Sequence, residues 1–117
     1  MRQTGKEENV QVLDLNAASK TLYEAWGPTE SIKAFVHYPA NTFPNQPKEL
    51  KDDTHFNSYG ASELAKCIVQ AISQSDLPIK KFISTTFKGF DPAKPDPVAT
   101  FQLPPSAFVA TVKPDGN

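Results

Sequence analysis

The chain has 117 residues and a formal net charge of −1, enough for one small domain with a modest core. That balance carries no basic footprint for nucleic acid or an anionic membrane surface, and no apolar run approaches the roughly 20 residues of a membrane span. A single cysteine, Cys67, excludes an internal disulfide; it lies in an apolar helical stretch and reads as a small core residue rather than a reactive thiol.

Met1–Asn9 is polar and charged, unlike a signal peptide. Its first seven residues read as the end of an amphipathic helix plus a turn. Val10–Leu15 is a short apolar run with β-branched residues, predicted as a buried strand with Asp14 near its C-terminal end. Asn16 is the expected N-cap of a helix on which Leu15, Ala18, Leu22, Ala25 and Trp26 recur at helical spacing. Gly27-Pro28 is its stop signal, because Gly tolerates a left-handed cap and Pro cannot continue the helix. Ala34–Tyr38 is a candidate second strand. Pro39–Pro47 holds three prolines and two asparagines and reads as a loop. Leu50 is expected to begin a brief turn before the acidic pair Asp52-Asp53.

Asn57 or Ser58 then caps a second helix. Ala61, Leu64, Ala65, Ile68, Val69 and Ile72 form one broad apolar face, with Glu63, Lys66, Gln70 and Ser73 away from it. Pro78 ends that region, and Ile79–Phe87 reads as a strand or a packed extended segment. Seven of the 11 prolines fall between Pro78 and Asn117. Phe90–Asn117 is too apolar for a free linker and too rich in proline for a central strand. It is expected to lie as an extended strap across a partner surface, with a frayed end. Residues 1–77 and 78–117 therefore divide the chain into a patterned part and a proline-rich tail.

The patterned part is too short for a complete doubly wound sheet. Each βαβ unit takes about 30 residues, so four or five strands need on the order of 120 to 150. Parallel sheets must also be covered on both faces. The expectation is an α/β chain that forms the C-terminal part of a larger domain, whose missing part supplies the first strands.

The vocabulary of catalysis is confined to Asp52-Asp53-Thr54-His55-Phe56-Asn57-Ser58-Tyr59-Gly60. A carboxylate three residues before a histidine, at a helix entry, can fix one ring nitrogen as a donor. The other nitrogen is then free to take a proton from a hydroxyl. Asp-x-x-His on spacing alone is common, and a structural or capping role is its bland alternative. Asp53 competes with Asp52; otherwise it is an exposed charge or a cap. His37 reads as a hydrogen-bonded, partly buried residue, and a metal site from Asp53, His55 and His37 lacks ligand spacing. Trp26 and Tyr23 read as core rather than a sugar-stacking platform. Lys80-Lys81 and Lys48–Lys51 read as solvated faces.

Asp52-x-x-His55 followed by Asn57-x-x-Gly60-Ala61 resembles the last signature block of the SGNH (GDSL-type) hydrolases. Val12-Leu13-Asp14-Leu15-Asn16, His37-Tyr38-Pro39-Ala40-Asn41 and Asp53-Thr54-His55-Phe56-Asn57 resemble the rhamnogalacturonan acetylesterase branch of bacterial carbohydrate esterases. So does the ending around Phe90-Asp91-Pro92-Ala93-Lys94-Pro95-Asp96-Pro97. The resemblance implies a three-layer α/β/α, flavodoxin-like fold, with His55 as general base and Asp52 as its orienting acid. It implies an acetylated polysaccharide as substrate, the missing N-terminal half of the domain as partner, no cofactor and no metal, and a secreted or periplasmic location. In that family the nucleophile is a Ser in a Gly-Asp-Ser element, with Gly and Asn from intermediate blocks in the oxyanion hole. None of the eight serines here follows Gly-Asp, and the Gly and Asn blocks are absent, so the chain by itself is expected to be inactive. The competing expectation is a non-catalytic binding or interaction module.

Overall fold

The computed structural model describes residues 2–103; the end of the expected strap, with Phe108 and Val109, lies outside them. Helix α1 (Arg2–Glu7) leads into a turn in which Asn9 adopts a left-handed conformation, φ 52°. Residues 10–14 are not a strand, which corrects the expectation for Val10–Leu15. A strand exists through its hydrogen-bonded neighbour, and among the described residues none runs beside this segment. Val10 is left 63% exposed.

Helix α2 spans Leu15–Glu30, and its cap is Asp14 rather than Asn16. The Ala17 N–H donates to the Asp14 carboxylate at 3.2 Å, an N-cap bond to the third helical residue. Gly27 breaks the helical geometry at φ 69°, and Pro28 opens a further turn. The stop signal thus kinks the helix, because proline fits the first position of a new turn as well as it ends an old one. A 3-10 turn, Ser31–Ala34, carries the chain into β1 (Phe35–Tyr38). The loop that follows turns through Asn41 and Asn45, both at φ 63°.

The turn expected at Leu50 is strand β2 (Leu50–Phe56). It pairs antiparallel with β1, matching Tyr38 to Leu50, His37 to Lys51, Val36 to Asp52 and Phe35 to Phe56. The described sheet is this two-stranded hairpin, in place of the parallel arrangement expected of two strand–helix units. The chain is of mixed helix and strand.

Helix α3 (Ser58–Ser73) is capped by Asn57, whose side chain accepts from the Gly60 N–H at 3.0 Å. It packs on α2 through Leu22, Leu64 and Cys67, with Leu15, Ala18, Tyr23, Trp26 and Phe90 around them. The expected apolar face is only partly the buried one. Tyr59, Gly60, Glu63, Leu64 and Cys67 are buried, while Ala61, Ala65 and Ile68 are exposed. Glu63, read as outward-facing, is 1% exposed. Its burial is tolerated because the Lys66 ammonium pairs with it and the Asp96 N–H donates to it at 3.2 Å. Burial works against the Lys66 charge, but hydrogen bonds to Asp96 and Glu63 outweigh it and hold its pKa above the ordinary lysine value.

Beyond α3, Ile79–Phe87 opens with a 3-10 turn, Pro78–Phe82, not a strand. Residues 90–101 then run along α3. The Phe90 N–H donates to Gln70 at 2.9 Å, the Tyr59 hydroxyl donates to the Asp96 carbonyl at 2.6 Å, and Phe101 meets the Tyr59 ring edge-on.

Candidate active site

The hairpin and the entry of α3 build the site. Pairing stops at Val36–Asp52 and resumes at Phe35–Phe56, so Asp53, Thr54 and His55 bulge from β2 with no partners in β1. Asp52 sits at the root of this bulge and organises it. Its Oδ1 accepts from the backbone N–H of Thr54 at 2.7 Å and of His55 at 2.9 Å. Its Oδ2 lies 2.7 Å from His55 Nδ1. The His55 and Thr54 N–H groups, with the imidazole, hold the Asp52 carboxyl down at about 2. The carboxylate is thus ionised throughout the neutral range, as an acceptor that fixes Nδ1 as the protonated nitrogen requires. The His55 side chain is 77% exposed, and among the described residues no hydrogen bond reaches its Nε2.

Asn57 closes the bulge on its C-terminal side. Its backbone N–H donates to the Ala34 carbonyl at 3.0 Å, and its side-chain amide donates to the carbonyls of Lys33 at 2.7 Å and Phe35 at 3.0 Å. Gly60 lets α3 approach this closely, because a Cβ there would collide with the Ala34 carbonyl. Capping, approach and bulge therefore share one anchor, and His55 lies two residues from it.

Asp53 does not share His55 with Asp52. Its carboxylate lies 2.7 Å from His37 Nε2, across the hairpin. The reading of His37 as hydrogen-bonded and partly buried matches its place; its pairing with Asp53 was not visible in the sequence. The signal that could have found it is the hairpin register, which sets Asp53 diagonal to His37 on one face.

Among the described residues no serine hydroxyl pairs with His55. Ser19, Ser31, Ser73 and Ser75 bond to carbonyls within their own helical turns, and Ser84 pairs with Thr86. Ser58 and Ser62 face a cleft with Glu63, Lys66 and Phe101. Cys67 is buried, and burial raises its thiol pKa. Trp26 stacks on Tyr23 and donates its indole N–H to the Tyr59 hydroxyl at 2.9 Å, so both rings belong to the packing between the helices. No group of three or more His, Cys, Asp or Glu side chains comes together among the described residues, and no described helix is long and apolar enough to cross a membrane.

Comparison with known proteins gives two relatives. The chain is 45% identical over 80 residues to the rhamnogalacturonan acetylesterase RhgT of Bacillus subtilis (strain 168), covering 68% of this chain and 34% of that protein. It is 31% identical over 83 residues to the probable rhamnogalacturonan acetylesterase YesY of the same organism, covering 71% and 34%. No family model and no solved structure matches. By sequence, then, the chain is similar to rhamnogalacturonan acetylesterases and spans about a third of the length of these two relatives.

Proposed function

We propose that the chain is the C-terminal portion of a serine carbohydrate esterase and supplies the His-Asp part of a Ser-His-Asp triad. The observation that carries this reading is the 2.7 Å contact of His55 Nδ1 with Asp52, made at a helix entry with Nε2 open to solvent. The complete domain is a three-layer α/β/α fold in which residues 1–77 complete the hydrolase core and residues 78–117 pack on it. The contacts of Phe90, Asp96 and Phe101 with α3 support that packing. The exposed apolar segment Val10–Val12 and Ile68 on α3 support a missing layer.

In the complete protein a serine from the N-terminal portion loses its proton to His55 Nε2 and attacks an acetyl carbonyl of the polysaccharide. Asp52 accepts from Nδ1–H and stabilises the imidazolium that forms. His55 then protonates the departing sugar oxygen. Water, deprotonated in turn by His55, hydrolyses the acetyl-serine and releases acetate. Acetylated rhamnogalacturonan is the proposed substrate, and the setting is secreted or periplasmic.

The test is reconstitution. This chain, joined to or mixed with the first two thirds of RhgT, is expected to release acetate from acetylated rhamnogalacturonan, and neither piece alone to do so. His55→Ala in the reconstituted enzyme should lower kcat by roughly 10³-fold or more; unchanged hydrolysis would refute the assignment. A second reading, a non-catalytic interaction module, draws on the apolar groove lined by Val69, Ile72, Ile79, Phe82, Ile83 and Phe87. A monomeric, cooperatively unfolding chain that never gains activity on reconstitution would favour it.

A further inference from the structure

The hairpin carries two His–carboxylate pairs, and the second has no part in the chemistry above. His37 stands opposite Lys51, so Asp53 is its diagonal neighbour on the same face, and the two meet at 2.7 Å. Lys51 turns instead to Glu49 at 3.1 Å and leaves Asp53 to the imidazole. The two ends of the contact differ: the His37 side chain is 22% exposed and that of Asp53 is 82% exposed. A partly buried imidazole thus holds the first residue of the bulge. A contact this exposed contributes little to stability, so its effect is on geometry.

That geometry bears directly on Asp52. Its two oxygens serve Thr54, His55 N–H and His55 Nδ1 at once, which requires one shape of the bulge. Asn57 fixes the far end of the bulge to Lys33, Ala34 and Phe35. Among the described residues, the only side-chain hydrogen bond between the near end and β1 is that of Asp53 with His37. We propose that His37 and Asp53 are positioning residues, a staple that holds the bulge in the shape that aims Asp52 at His55. This inference rests on the Asp52–His55 reading and deepens it.

Its test needs no turnover. The tautomer of a neutral imidazole is set by the hydrogen bond its other nitrogen makes, so His55 reports its own alignment. Imidazole nitrogen spectra of the labelled full chain, taken about two pH units above the ordinary histidine value, give the fraction of His55 protonated at Nδ1. That form is expected to dominate in the wild type, and its ratio to the other tautomer to fall about tenfold or more in Asp52→Ala, the weight of a hydrogen bond to a charged group. In His37→Ala and Asp53→Ala its ratio to the other tautomer should fall about fivefold, the weight of one hydrogen bond. His37→Gln and Asp53→Asn, which keep a donor and an acceptor, should restore most of it. Unchanged amide resonances across α3 show that each variant is folded. If His37→Ala and Asp53→Ala leave the ratio as in the wild type while Asp52→Ala lowers it, the staple is overturned and the dyad stands. If Asp52→Ala changes nothing either, both fall.

Discussion

At Asp52 a single carboxylate acts as acceptor for the backbone of its own bulge and as partner of the His55 imidazole. Its pKa, lowered from 3.8 to about 2, links the two roles. A folded pKa below the unfolded one means the bulge is stabilised above the ordinary aspartate range and loses that stabilisation as pH falls toward about 2. The Asp52 side-chain carboxyl resonance is therefore expected to report protonation at about 2; a carboxyl shift centred near the ordinary aspartate value would contradict the bonding seen here. Asp52→Asn keeps the shape but presents an amide N–H to Nδ1. In the reconstituted enzyme it should cost about 10⁴-fold in kcat, through the wrong tautomer. Glu63 raises a different question at the same scale. Glu63→Ala leaves Lys66 partly buried with Asp96 alone, and a loss of about 3 kcal/mol is expected in urea unfolding. Asp-x-x-His was legible because its two ends are local in sequence. Glu63 was not: helical spacing set it beside Lys66 on the polar side of α3, and only the passage of residues 90–101 over that side buries it.

At the scale of elements, the entry of α3 is the anchor. Asn57 caps the helix and ties it to three carbonyls around β1, while Gly60 gives α3 its close approach to Ala34. Asn57→Ala removes the cap and two further hydrogen bonds, and Gly60→Ala forces α3 away from the hairpin. Each is expected to cost about 2 kcal/mol in urea unfolding. Both should also disturb the His55 resonances, because the bulge loses its C-terminal anchor; Gly60→Ala with native stability would refute the close approach. The cap was readable from Asn57 and the helical periodicity behind it. The strand Leu50–Phe56 was not, since its charged centre, Lys51-Asp52-Asp53, lacks the alternation of a half-buried strand. Pairing with Phe35–Tyr38 across the proline-rich loop makes it a strand, and an isolated reading of either segment cannot supply that partner.

Across the whole molecule the described core is small for the chain. Its buried cluster holds Leu22, Leu64 and Cys67, while Val10, Val12, Ile32, Ile68 and Phe82 are exposed. Exposed apolar surface favours association. The isolated chain is expected to bind a hydrophobic dye and to self-associate with rising concentration, and the first two thirds of RhgT should suppress both. A concentration-independent monomer without dye binding would count against a missing layer. The apolar runs at Val10–Leu15 and along α3 are properties of the sequence alone, as are the Asn57 cap, the break at Gly27-Pro28 and the Asp52–His55 spacing, because each depends on neighbours a few residues apart. Tertiary structure alone decided that Val10–Leu15 is no strand here, that Glu63 is inside and Ile68 outside, and that Asp53 belongs to His37 rather than His55. Those outcomes turn on which segments lie side by side, and a hydrogen-bonded neighbour or a covering strand of chain is set by folding across long separations, not by local pattern.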